Sequence, residues 1–395
     1  MTLPDTDQLH TVRRRAETAR LDRTVALLDA PLLREALAPG TERDLRALLH
    51  DVRADLLARD DEEWTRLAGA QTRAESVHAE LFSLLATSLV RTHGFDGGLL
   101  DAADRLTSWL QSASRVRTPV TLALAPGTES MNHVAWLLRL RFPPASVWDL
   151  PVLAHELGHH VVDTLESASE LRRGDRPLAQ AVAETAAVGV PAGDGSGWAH
   201  EYAADVFATY ALGATYPLAC VTLRIDPGRT AAESDSHPPW DRRVEVMAAT
   251  LEAISAATGR PGPALTAREV VRPLLLLLPG AEPVPRATAL VLADLATGLV
   301  AQLDRHTVHL RHDDATRAAA LALRLGARHD DGTDTTDATD ATDDDPGTPA
   351  PPVPTVLDAA WRWRRAHWDA GDADLRRVEA TVLRWCATAP AREEP

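Results

Sequence analysis

The run Asp149-Leu-Pro-Val-Leu-Ala-His155-Glu156-Leu157-Gly158-His159-His160-Val-Val-Asp163 has little freedom in how it folds. Leu150, Leu153, Ala154, Leu157 and Val161 recur at helical spacing, Asp149 is suited to cap the helix, and Pro151 is tolerated in its first turn. The spacing predicts a helix buried along that apolar stripe. His155 and His159, four residues apart, then stack one turn above the other on the neighbouring face, with Glu156 close by. Burying the stripe carries two imidazoles inward with it.

A second segment repeats the pattern with acids. Gly197-Trp198-Ala-His200-Glu201-Tyr202-Ala-Ala-Asp205-Val-Phe-Ala-Thr-Tyr-Ala-Leu-Gly213 starts after a glycine-rich turn and ends at a glycine, and Glu201 and Asp205 lie one helical turn apart. Two imidazoles at this spacing have the separation that chelates one tetrahedral Zn²⁺, and a catalytic zinc needs a third protein ligand and an open position. Glu201 can complete a His155, His159, Glu201 set. Asp205 can accept a hydrogen bond from the outer ring N–H of a ligating histidine, which fixes its tautomer and raises its basicity. His200 is the alternative ligand, but on a helix it faces about 100° away from Glu201.

With these residues in place, the sequence resembles a known group. H-E-x-x-H at 155–159 followed by Glu201-Tyr-Ala-Ala-Asp205 resembles the gluzincins. A third element, Ser236-His237-Pro238-Pro239-Trp-Asp-Arg-Arg243-Val244, resembles the His-Pro-Pro-x-x-x-Arg segment of the family that includes HtpX-like and CAAX prenyl endopeptidases. The resemblance covers residues 119–255 and implies a zincin-like zinc endopeptidase acting on a protein or peptide. In it His155, His159 and Glu201 bind Zn²⁺ and Glu156 is the general base. It also puts His237 and Arg243 beside the zinc, to stabilise an oxyanion or to occupy the open position at rest. Many members of that family carry transmembrane helices, whereas polar turns at 172–176 and 193–197 stand here between the two motifs, so the resemblance is to a soluble member. An ImmA/IrrE-like intracellular peptidase also combines H-E-x-x-H with a later Glu on an Ala-rich helix; the His237-Pro-Pro segment argues against it. Two further readings stay open: a catalytically silent zincin-fold binding protein, and a latent enzyme whose cleft is blocked by His237 or by an acidic tail, which truncation near Asp330 activates.

Composition sets the remaining bounds. Acidic residues outnumber basic ones by 57 to 41, a formal net charge of −16, so the field around the chain repels phosphate backbones and anionic lipid, and nucleic acid is not an expected partner. Cys220 and Cys386 have no framework spacing and read as reduced thiols. Residues 1–8 are polar, and the most hydrophobic stretch, Leu274–Leu278, is bracketed by Pro273 and Pro279, far short of the roughly 20 residues that span a bilayer. The sequence predicts a soluble, cytoplasmic protein without membrane insertion.

The predicted fold class is α+β and mostly helical, with a small sheet and an active-site helix in a zincin-like core. Residues 1–118 read as a helical N-terminal domain. The core follows at 119–260, with β-compatible runs at Val120–Ala125 and His133–Phe142, and a helical accessory region covers 261–328. Residues 329–354, rich in Thr, Asp and Pro, predict a disordered acidic linker, and 355–395 a helical hairpin. Trp361, Trp363, Trp368 and Trp385 in that hairpin offer a docking surface for a partner, although helical tryptophans more often pack onto their own chain.

Overall fold

The computed structural model describes residues 6–29, 31, 34, 37, 39–57, 63–115, 120–125, 130–132, 137–141, 146–169, 196–225, 237–277, 281–307, 310–311, 314–330 and 350–389. The predicted linker therefore lies for the most part, at 331–349, outside the described residues. The chain is mostly helical with one small sheet, as the α+β expectation requires. It divides into two compact units, residues 1–96 with 118–143, and residues 97–117 with 144–395.

In the first unit, helices α1 (Thr6–Leu28), α2 (Pro39–Leu57) and α3 (Glu63–His93) bury Leu21, Leu28, Leu45, Leu49, Val52, Leu67, Val77, Leu81 and Leu84 in one core. Strands β1 (Thr121–Ala125), β2 (Ser130–Asn132) and β3 (Leu137–Arg141) form a sheet of order β1-β3-β2, with β1 parallel and β2 antiparallel to β3. β1 and β3 lie inside the two predicted runs; the short β2 had no sequence signal. Ala123 and Leu137 are buried in the same core as the three helices, and Arg139 pairs with the buried carboxylate of Glu80 on α3. Thr87 of α3 accepts the Leu124 N–H at 2.7 Å, so α3 satisfies a main-chain donor of the edge strand β1. The boundary expected at residue 118 is thus corrected: the sheet shares its core with the N-terminal helices, and α4 (Leu99–Ser114) belongs to the second unit.

The second unit is built from α4, α5 (Val152–Ser169), α6 (Ser196–Leu212), α7 (Thr215–Ala219) running into a π-helical turn at Cys220–Arg224, and α8 (Trp240–Thr258). After these come α9 (Gly262–Thr266), α10 (Arg272–Leu275), α11 (Arg286–His306), α12 (Ala315–Asp330), α13 (Val353–Ala366) and α14 (Asp372–Thr388). The apolar stripe predicted along α5 and its leading turn is buried: Leu150, Leu153, Ala154, Leu157 and Val161 are all inaccessible to solvent. α6 is buried on nearly every side, which its run of alanines between aromatic residues permits.

Two glycines set the path. At Gly158 of α5 a Cβ would stand 3.0 Å from the Ala204 Cα and 3.2 Å from the Ala204 carbonyl oxygen, so only a bare α-carbon allows α5 and α6 to lie this close. Gly158→Ala has to push against backbone, which costs about 1–3 kcal/mol. The expected result is a lower thermal midpoint together with weakened divalent-metal uptake, read by calorimetry and equilibrium dialysis; an unchanged midpoint would show that the helices have slack. Gly213, at φ 61°, ends α6 in the left-handed region, and the chain turns by 115° into the following helix.

The C-terminal expectations need one correction. Val353 and Pro354, assigned to the linker, open α13 and are buried. Trp361, Trp363 and Trp385 are buried inside the second unit and Trp368 is 42% exposed, so three of the four pack onto their own chain, the commoner course for helical tryptophans. Trp361 packs against Leu218 and Ala219 and meets Trp148 edge-to-face at 5.8 Å. One described helix, α11, is long and apolar enough to cross a membrane by length and composition; its Leu292, Leu295, Leu299 and Leu303 are buried.

Candidate metal centre

α5 and α6, pressed together at Gly158, bring the predicted residues of both helices face to face. His155 Nε2 lies 3.4 Å from Glu201 Oε2, and His159 Nε2 lies 3.4 Å from Glu201 Oε1. Two donors each about 2.0–2.1 Å from a tetrahedral cation are about 3.3–3.4 Å apart, and each histidine nitrogen stands at that separation from one of the two Glu201 oxygens. One ligand atom from each of His155, His159 and Glu201 lies within 4.8 Å of the others, and these three can hold a metal ion. His155 and Glu201 are buried and His159 is nearly so.

The outer nitrogen of His155 is held from behind. Asp205 Oδ1 lies 2.9 Å from His155 Nδ1, so the Nδ1–H donates to the carboxylate and Nε2 is turned toward His159 and Glu201. Asp205 is fully buried and takes three more hydrogen bonds. Arg243 Nε donates to Oδ2 and Nη2 to Oδ1, both at 2.8 Å, and the Tyr216 hydroxyl donates to Oδ1 at 2.6 Å. Arg243, from the first turn of α8, also places Nη1 3.3 Å from Glu201 Oε2 and stacks its guanidinium over Trp240. His237, just before α8, puts Nε2 3.6 Å from Glu201 Oε1 and is 58% exposed. Glu156 is half-buried on the turn that carries His155.

Every predicted site residue is therefore carried by α5, α6, the first turn of α8 or the residues just before it, and His155, His159, Glu201, Asp205, His237 and Arg243 meet in one place. Arg243 lies beside the histidines, with Nη2 3.3 Å from His155 Nε2, and its side chain is committed to Asp205 and Glu201 and is 6% exposed. Comparison with family models, curated proteins and solved structures gave no match. The centre stands on its own chemistry.

The charges respond to that packing. Burial pushes His155 toward its neutral form, but the Asp205 carboxylate outweighs it and raises the group to about 9. Burial and the cationic His155 lower His159 to about 3. For Glu201 burial favours the protonated acid, yet His155 and Arg243 hold it at about 2. Asp205 follows the same logic: burial opposes ionisation, and Arg243 and His155 keep it well below the usual carboxylate range. At neutral pH the Glu201 oxygens are ionised and His159 is a free base, which suits both as ligands. Glu201 Oε2 is buried between the Arg243 guanidinium at 3.3 Å and His155 Nε2 at 3.4 Å, so it is already an anion held by positive neighbours.

Sequence reasoning missed Tyr216. It stacks on the His155 ring, with centroids 6.0 Å apart and planes inclined by 10°, and is fully buried. Its only sequence cue is its place just after the Gly213 turn that ends the Glu201 helix. His200, the alternative ligand, is not in the metal-binding group. Of the histidines at 306, 309 and 312, whose three-residue spacing resembles a ligand set, His309 and His312 lie outside the described residues.

Proposed function

We propose that the protein is a zinc-dependent endopeptidase in which His155, His159 and Glu201 hold the ion and Glu156 is the general base. The observation that supports this reading is the convergence of two Nε2 atoms and one carboxylate at co-ligand separation, with Asp205 fixing the tautomer of one histidine. A donor set of two imidazoles and one carboxylate, with no thiolate, matches hydrolytic zinc sites that keep a position open. When bound, the ion supplies a Lewis acid that polarises the scissile carbonyl and makes water acidic enough to be deprotonated near neutral pH. The rest of the chemistry is the chain's own. Glu156 stands on the same helical turn as the ligands without belonging to their group, so it can accept the attacking water's proton and hand it to the leaving amine. His237, exposed at the rim, can donate to the oxyanion of the tetrahedral intermediate. Arg243, buried and paired to two carboxylates, holds Asp205 and Glu201 in place instead of meeting substrate.

The test is zinc uptake followed with its proton balance. One zinc per chain is expected, lost on His159→Ala. In metal-free protein His155, raised to about 9, is the ligand that still carries a proton at neutral pH, whereas His159 and Glu201 have already shed theirs. Zinc must displace that proton, so its apparent affinity should rise about tenfold per pH unit between pH 7 and 9 and level off above. Calorimetry in buffers of different ionisation enthalpy measures the proton released. Absence of stoichiometric zinc in the wild type sinks the reading.

A further inference from the structure

Resting on the proposed metal site, we infer that Tyr216 is a positioning residue for His155: its hydroxyl fixes the Asp205 carboxylate that aims the ligand nitrogen at the ion. No motif marks this residue; three observations carry it. The hydroxyl donates to Asp205 Oδ1 at 2.6 Å, and that same oxygen lies 2.9 Å from His155 Nδ1. The phenol ring lies nearly parallel to the imidazole, so Tyr216 constrains His155 both through the carboxylate and through the face of the ring. The 115° turn after Gly213 brings Tyr216 back over the helix that carries Asp205.

The division of labour at Asp205 gives the hydroxyl its role. Arg243 spans both carboxylate oxygens in a fork, which fixes the plane of the group but leaves Oδ1 shared between a guanidinium N–H and the histidine. Arg243 Nη2 also stands 3.3 Å from His155 Nε2, so a small rotation of Asp205 would bring the cationic guanidinium further into the ligand's place. The Tyr216 hydroxyl, approaching from the element after α6, opposes that rotation. Outer partners of metal-binding histidines are worth 10–100-fold in metal affinity, and a residue acting one hydrogen bond further out belongs at the lower end of that range.

Tyr216→Phe keeps the ring and removes only the hydroxyl. Tyr210→Phe is the matched control, because Tyr210 on α6 donates an equally short bond, 2.6 Å, to Asp304 on α11, away from the ion. Full-length proteins are stripped with chelator and titrated with Zn²⁺, then with Co²⁺, whose visible absorption reports ligand geometry. The expected result is about tenfold weaker zinc binding and shifted cobalt bands for Tyr216→Phe, with both readouts unchanged for Tyr210→Phe. Wild-type zinc affinity and cobalt spectrum in Tyr216→Phe overturn the inference while leaving the metal site standing. Equal losses in both variants, tracking their thermal midpoints, overturn it by reducing Tyr216 to general packing. A wild type that takes up no zinc removes the proposed function, and this inference with it.

Discussion

Glu156→Gln should abolish peptide cleavage while leaving zinc in place. Glutamine matches glutamate in shape and keeps the half-buried position filled, and residue 156 is outside the His155, His159, Glu201 group, so ligand geometry and fold should persist. An amide cannot take up the proton of the attacking water, and a positioned general base contributes about 10²–10⁴-fold to rate. The measurement is a cleavage profile of zinc-loaded wild type and variant against a denatured proteome, with metal content determined on the same samples. A variant that retains its zinc and cleaves like the wild type means Glu156 is not the base. A zinc-loaded wild type that cleaves nothing favours the competing reading of a zincin-type scaffold without turnover. The Arg243 guanidinium, 3.3 Å from the ligand nitrogen of His155, bears on zinc affinity instead, because it opposes a second positive charge there. Two of the three Arg243 nitrogens are hydrogen-bonded to the Asp205 carboxylate, which offsets much of that charge locally.

How much of this centre was legible in the sequence depends on the range of each interaction. His155 with His159, and Glu201 with Asp205, are pairs one turn apart; helical periodicity alone puts each pair on one face, and burial of Leu153 and Leu157 fixes which face turns inward. That the two helices press together is written less openly, in Gly158, whose missing side chain matters only once Ala204 is known to lie opposite. Tyr216 is marked only by its place after the Gly213 turn, because its partner Asp205 lies across that left-handed turn and nothing in a Tyr-Pro-Leu run announces a hydrogen bond. The domain boundary failed for a related reason: alternation reveals that Leu122 and Leu124 want to be covered, not which helices cover them, and the Thr87 and Glu80 contacts of α3 to the sheet span tens of residues.

The same long-range packing reverses the effect expected of truncation. If the acidic segment and everything after it merely covered the cleft, cutting near Asp330 would raise activity; the buried tryptophans predict loss instead. Removing residues 331–395 strips Trp361 from Leu218 and Ala219, the residues that directly follow Tyr216 and Pro217 in α7, and from Trp148, in the turn that leads into α5. It also removes the Glu379 carboxylate that accepts the Val147 N–H at 3.0 Å, and the Ala389 carbonyl that accepts from Arg105 on α4. Loss of one buried tryptophan costs about 3–5 kcal/mol, against a net stability of about 5–15 kcal/mol for a whole domain, and here two helices go at once. The truncated chain should therefore fail to fold or precipitate, without zinc. The milder Trp361→Ala should remain folded with a thermal midpoint lowered by several degrees and weaker zinc retention on dialysis, because the cavity opens beside the element that carries Tyr216. A truncated chain that is folded, zinc-loaded and more active than the full one would make the C-terminal helices a removable cover after all.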